Sequence, residues 1–201
     1  MIETRRYIKA FDDEIIIQKI PEKLYNNKTI ADALEKIFNS AVTREYGAAY
    51  KNPEEGTWYS TCRLGSQILY DIENINPLLE YIKEVILDVN NKEEKKYSKV
   101  IFYRAWANIL YKNSSGRCHY HDGPHSGTAI FYFNVPENGS KLIILKHYID
   151  KLVDETHKDI SKYITVETGD LVLHDKKTFH AISEHMSDTP RICFVFDYKL
   201  R

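Results

Sequence analysis

The sequence predicts an α+β chain, with helices in its first half and short β-strands in its second. Two amphipathic segments argue for the helices. A change of texture near residue 100, to β-branched and aromatic runs parted by Gly, Pro, Asn and Asp clusters, argues for the strands. Residues 1 to 20 alternate loosely around Ile15-Ile16-Ile17 and read as a strand that joins a sheet edge, closed by Pro21. In Thr29 to Phe38, the residues Ile30, Leu34, Ile37 and Phe38 share one helical face, with Thr29 as the expected cap. Leu78 to Val89 repeats that spacing after Pro77, which suits a first helical turn. The polar run Asn90 to Lys99 reads as a solvated turn. Val100–Tyr103, Trp106–Tyr111, Ala129–Val135, Leu142–Leu145, Leu171–Leu173 and Ile192–Tyr198 then supply strands. The expected organisation is one domain over 1–201, a helix-rich support in 1–99 followed by a β-barrel core in 100–201 that carries the site.

Composition narrows the function. Hydrophobic residues make up 43% and charged residues 28%, enough apolar surface for a core in a chain of 201 residues. Lys+Arg 28 against Asp+Glu 29 gives a formal charge of -1, so no global field steers the chain onto nucleic acid or an anionic membrane. A local groove for nucleic acid is not excluded. Cys62, Cys118 and Cys193 are odd in number and lack CxxC pairing, which argues against a disulfide framework or a zinc knuckle. No charged-then-apolar leader or membrane-length apolar run is present, so the expected location is cytoplasmic, without membrane attachment.

Three features of the second half carry chemistry. In Cys118-His119-Tyr120-His121-Asp122-Gly123-Pro124, residues two apart on a strand point to one face, so His119 and His121 can offer two imidazoles to one metal. The plainer alternative is a pair of surface histidines beside a turn. After the tight turn Gly169-Asp170 and the strand that follows it, His180 returns on a later strand, where a barrel can place it opposite the pair. Two ligands from one segment and a third from a distant strand form a facial iron site. The alternative for His180 is a hydrogen-bonded core histidine. Arg191 opens the apolar strand Ile192-Cys193-Phe194-Val195-Phe196, and a buried guanidinium requires an anion. A dicarboxylate meets that need through two parallel hydrogen bonds, and an internal salt bridge to Asp170 or Asp197 would meet it too.

These residues resemble the iron(II)/2-oxoglutarate-dependent oxygenases, and within them a bacterial and phage branch with an H-x-H…H…R motif. The resemblance runs over roughly residues 100 to 198. It includes Trp106-Ala107-Asn108-Ile109 before the H-x-H pair, the aromatic strand ending in Val135-Pro136-Glu137, and Gly169 to Leu173 through His180 to Thr189-Pro190-Arg191-Ile192. It implies a double-stranded β-helix (jelly-roll, cupin-like) core with the N-terminal helices packed on its major sheet. It further implies iron(II) held by His119, His121 and His180, 2-oxoglutarate held by Arg191 with Asn108 near it, and hydroxylation coupled to decarboxylation of 2-oxoglutarate to succinate. Most of the wider family has H-x-D, whereas position 121 is histidine and Asp122 lies one step on. Either three histidines bind the metal, or the strand bulges and Asp122 turns inward.

The resemblance leaves the substrate unidentified, with a small molecule or a protein side chain favoured, and leaves oligomeric state open. Two rival functions stay on the table: a cupin-like three-histidine metalloenzyme without cosubstrate, and a non-catalytic ligand-binding barrel. The remaining histidines, His125, His147, His157, His174 and His185, lie in turns or charged segments and read as surface residues, with His174 the one placed to line a pocket. Cys118 and Cys193 read as small core residues.

Overall fold

Alternation along the strands of the second half decides what each face meets, and it yields two sheets facing one another. The computed structural model describes residues 5–40, 48–52, 56–92 and 96–201. In chain order its elements are β1 (Arg5–Ala10), β2 (Asp13–Lys19), α1 (Lys28–Asn39), β3 (Ala48–Asn52), β4 (Gly56–Ser60), α2 (Gln67–Tyr70), α3 (Asn76–Asn90), β5 (Val100–Leu110), β6 (Gly116–His119), β7 (Gly127–Asn134), β8 (Leu142–Leu145), β9 (Ser161–Ile164), β10 (Asp170–Asp175), β11 (Phe179–Ile182) and β12 (Arg191–Leu200). Short 3-10 helices at Glu22–Leu24 and Glu155–Ile160 join them.

The larger sheet has the order β1-β2-β10-β7-β12-β5-β4-β3 and the smaller β6-β11-β8-β9. From β5 onward the chain passes back and forth between the sheets, and all their pairings are antiparallel. This is the double-stranded β-helix. The segment expected to give one edge strand forms the hairpin β1–β2 instead, with β1 at the edge and β2 paired to β10. Two further N-terminal strands, β3 and β4, extend the other edge through β5.

Parity separates two cores. On β12, Phe194 and Phe196 join Phe131 of β7, Leu171 and Leu173 of β10, Ile30 and Leu34 of α1 and Leu78 and Ile82 of α3 in one buried cluster. The alternate residues Cys193 and Val195 join Ile130, Tyr132, Val172 and the smaller sheet's Leu142 and Ile144 in a second. Each buried large side chain contributes about 1.5 to 3 kcal/mol, so both faces of the larger sheet are anchored.

Helix ends follow local chemistry. α1 is capped by Asn27 rather than Thr29: Asn27 has extended backbone, and its side chain accepts from the Thr29 amide at 2.9 Å. The cap position needs non-helical backbone with an oxygen reaching two residues ahead, which Asn27 supplies. Past α3, the Asn91 side chain gathers the polar turn by accepting from the amides of Lys96 and Tyr97 at 3.0 and 2.8 Å. Residues 93–95 of that turn lie outside the described residues. Gly169 sits at φ 87, and a Cβ there would collide with the Tyr25 hydroxyl, so the turn into β10 requires glycine. Among the described residues, no helix is long and apolar enough to cross a membrane.

Candidate metal centre

The site begins with a register. β6 and β11 run antiparallel with His119 directly opposite His180, and opposed residues on one face bring their side chains into contact. Their ring centroids are 4.2 Å apart. β6 ends at His119, and His121 lies just beyond it with its ring 5.5 Å from His119 and 5.1 Å from His180. One nitrogen from each of the three lies within 4.8 Å of the others. Donors at roughly 2 Å from a shared ion stand roughly 3 to 4 Å apart, so small side-chain rotations close the set. Asp122 is exposed and stays outside this cluster, its backbone carbonyl accepting from Arg104 at 3.0 Å.

The far side of each ring is tied down. His119 Nδ1 lies 2.9 Å from the Arg117 carbonyl, His180 Nδ1 lies 3.0 Å from the Thr178 carbonyl, and His121 Nδ1 lies 2.6 Å from Asp197 Oδ1. Carbonyl and carboxylate oxygens only accept, so each Nδ1 carries the proton and donates. In the neutral ring this tautomer leaves Nε2 with a bare lone pair, the form that binds a metal. Burial, then the neighbouring imidazoles, hold His180 well below its usual range and keep it neutral.

Asp197, fully buried, also accepts from the Thr128 hydroxyl at 3.0 Å and from Arg104 Nε at 2.8 Å. Burial alone would raise its carboxyl, but the hydrogen bond and charge of His121, with His125 and Arg104, hold it below the usual value.

A cavity of about 940 Å³ runs from these rings to Arg191. Arg191 is 1% exposed, yet neither acid that could have paired with it does so: Asp170 meets Arg6 and Lys19, while Asp197 meets Arg104 and His121. The guanidinium instead donates to Ser140 Oγ at 3.1 Å and lies 4.8 Å over the Tyr132 ring. Its Nε and the Oδ1 of Asn108, on the same cavity wall, have no hydrogen-bond partner among the described residues. A buried unpaired cation costs several kcal/mol, and an entering carboxylate would offset that cost.

Residues 104–197 match the family model described as "Putative 2OG-Fe(II) oxygenase". Over that span, just under half of the chain, it is similar to the 2OG-Fe(II) oxygenases. The fold of the oxygenase is also that of solved structures at low identity. The non-heme alpha ketoglutarate dependent epimerase SnoN from nogalamycin biosynthesis is 12% identical with TM-score 0.61, covering 91% of this chain and 78% of that one. AviO1 from Streptomyces viridochromogenes Tue57 is 13% identical with TM-score 0.63, covering 91% and 89%. A Pseudomonas putida prolyl-4-hydroxylase is 14% identical with TM-score 0.58, covering 93% and 92%. No curated protein matches the chain by sequence. The family-model match and these neighbours indicate an oxidoreductase that works with iron(II) and 2-oxoglutarate. The donor set fits them: three imidazole nitrogens for the metal and, for a carboxylate, a buried guanidinium that no acid among the described residues pairs.

Four histidines read as surface residues are buried in the oxygenase: His125, His157, His174 and His185. His147 is exposed. His174 sits on the interior parity of β10, its ring 4.7 Å from His180 and its Nδ1 2.8 Å from the Asp175 carbonyl, and burial, then the charge of His121, hold it at about 4. His125 lies 3.7 Å from Asp197. His185 accepts from the Ser140 amide at 3.2 Å through Nδ1 and donates from Nε2 to the Thr189 carbonyl at 2.9 Å. It thereby braces the serine that touches Arg191. Polar neighbours in the sequence hid these positions, and for His174 the even spacing from Asp170 and Val172 was the available signal.

Proposed function

We propose that the chain is an iron(II)/2-oxoglutarate-dependent dioxygenase that hydroxylates a small molecule or a protein side chain in the cytoplasm, releasing succinate and carbon dioxide. His119, His121 and His180 would hold the iron, while Arg191, with Asn108 beside it, would hold the cosubstrate. One observation carries this reading: a single cavity joins three metal-competent imidazoles to a buried arginine that no acid of the described chain neutralises. A cupin-like enzyme without cosubstrate has no use for that arginine.

When bound, iron(II) and 2-oxoglutarate supply oxygen activation, and the remaining work falls to the protein. Arg191 would grip the distal carboxylate in two parallel hydrogen bonds worth roughly 1.5 to 3 kcal/mol each, and so orient the cosubstrate's other end toward the histidines. Ser140 and the Tyr132 ring fix the guanidinium for that task. Ile130, Leu142 and Val195 line the inner cavity and exclude water from it. Where the H-x-D pattern puts a carboxylate on the metal, Asp197 would return that charge at one remove, through its 2.6 Å hydrogen bond to His121.

The test is succinate release from 2-oxoglutarate by iron-loaded protein, together with a product one oxygen heavier by mass spectrometry. Iron binding without any 2-oxoglutarate consumption across a substrate screen would reject the assignment.

A further inference from the structure

β12 sets a thiol beside its buried arginine. Cys193 lies two residues past Arg191, so the two share a face of the strand, and both line the cavity. In register, Cys193 is flanked by Asn108 on β5 and by Tyr132 on β7, which line the same cavity. All four side chains are buried. Each of the three around the thiol has a polar atom without a hydrogen-bond partner among the described residues: Arg191 Nε, Asn108 Oδ1 and the Tyr132 hydroxyl. Buried polar atoms are nearly always paired in a folded chain, so three unmet ones on one wall mark a pocket shaped for a polar guest.

Cys193 is a free thiol, whereas an ordinary exposed thiol is found at Cys62. Burial lifts the Cys193 thiol above its usual range, while the charge of Arg191 and a hydrogen bond with Asn108 oppose the rise. Thiolate is therefore scarce, and a neutral reagent gains nothing at this position. A reagent that carries a carboxylate differs. Arg191 would hold it, and holding a reactant beside a nucleophile raises its effective concentration there by orders of magnitude. Residues two apart on a strand stand roughly 7 Å from each other, so a guest anchored on the guanidinium reaches the sulfur with a short carbon skeleton.

We propose that Cys193 is a covalent acceptor for short α,β-unsaturated dicarboxylates such as fumarate, held in place by Arg191. Sulfur bonds to the alkene carbon β to the held carboxylate, the π bond breaks, and the thiol proton ends on the α carbon. No oxidant or reductant is consumed. Arg191 assists by drawing charge out of the carboxylate it holds, which leaves the β carbon more electrophilic. The resulting thioether fills the pocket and shuts out 2-oxoglutarate, so an unsaturated diacid would control the site. The proposal shares with the oxygenase reading the carboxylate role of Arg191; iron and the oxidation do not enter it.

Iodoacetate and iodoacetamide deliver the same alkylation and differ in charge, so they test the idea on folded, metal-free protein, with peptide mapping by mass spectrometry. The rate ratio of iodoacetate to iodoacetamide at Cys193 should exceed that of N-acetylcysteine in solution by at least roughly tenfold, the worth of one charge-assisted contact. On longer incubation fumarate should add once, at Cys193, while its neutral dimethyl ester should modify Cys62 first. Arg191→Ala should lose the iodoacetate preference, and the comparison within the parent chain decides the matter even where that variant does not fold. A ratio at Cys193 equal to that of N-acetylcysteine overturns the proposal. So does the absence of a fumarate adduct, an adduct on Cys62 ahead of Cys193, or a preference that survives in folded Arg191→Ala. The assay contains neither iron nor 2-oxoglutarate. Succinate formation without the preference therefore counts against this proposal alone, and the preference without succinate formation counts against the oxygenase reading alone.

Discussion

The two ends of the cavity are prepared for opposite charges. At the metal end each of three imidazoles is tied at Nδ1 and bare at Nε2, so the chain presents lone pairs and lacks a cation. At the Arg191 end it presents a buried cation that no acid among the described residues pairs. Elsewhere buried charge is matched internally, as Asp170 is by Lys19 and Arg6. A folded chain tolerates two such mismatches when something brought from outside resolves both.

Substitutions at each end should break this pairing separately. His180→Ala should abolish stoichiometric iron binding, a loss of at least about a hundredfold in affinity, since even residues behind a ligand are worth roughly ten- to a hundredfold. Metal analysis that finds iron retained would show that another residue completes the set. Arg191→Ala should bind iron normally but lose roughly a hundred- to ten-thousandfold in kcat/KM for 2-oxoglutarate, the cost of two charge-assisted hydrogen bonds. Comparable turnover in that variant would remove the cosubstrate role.

Asp197→Asn sharpens the metal end. Its side-chain oxygen still accepts from His121, but the negative charge is gone, so iron affinity should drop roughly ten- to a hundredfold by competition with a chelator. Unchanged affinity would leave Asp197 as a partner of Arg104 and Thr128 only.

The smallest effect belongs to the bracing of Arg191. Burial, with Arg191 nearby, holds His185 below its usual value, while its hydrogen bond to Thr189 opposes the shift. The unfolded chain therefore takes up the proton first as the pH drops through about 6.5. Stability from neutral His185 is full above that pH and is lost on further acidification. His185→Gln should show a shallower fall in Tm between about pH 7.5 and 5.5 than the parent chain, and equal slopes would refute the coupling.

Much of this was readable from the residues because strand parity is a strict rule. The i, i+2 spacing led to the expectation that His119 and His121 converge, and their rings do so at 5.5 Å although His121 lies past the end of β6, while an arginine opening an apolar strand implied burial. What the sequence left open was settled by long-range pairing. Register alone sets His180 against His119, and no local signal fixes it. Asp197 drew notice as a possible mate for Arg191, yet parity aims it at His121, across 76 residues of chain. The strands β3 and β4 escaped notice because edge pairing to β5, not an apolar run, holds them in the sheet. His125, His174 and His185 looked superficial because single letters in polar company say nothing of which layer covers them.

One strand carries both mismatched ends. Arg191 and Asp197 stand on the same face of β12, an even number of residues apart, and roughly 20 Å of extended backbone separates them. The distance between the proposed anchor and the proposed metal site is thus gauged by covalent bonds. Deleting one residue between them would turn one of the pair to the opposite face, so lineages can adjust this spacing only in steps of two, and each such step changes it by nearly 7 Å.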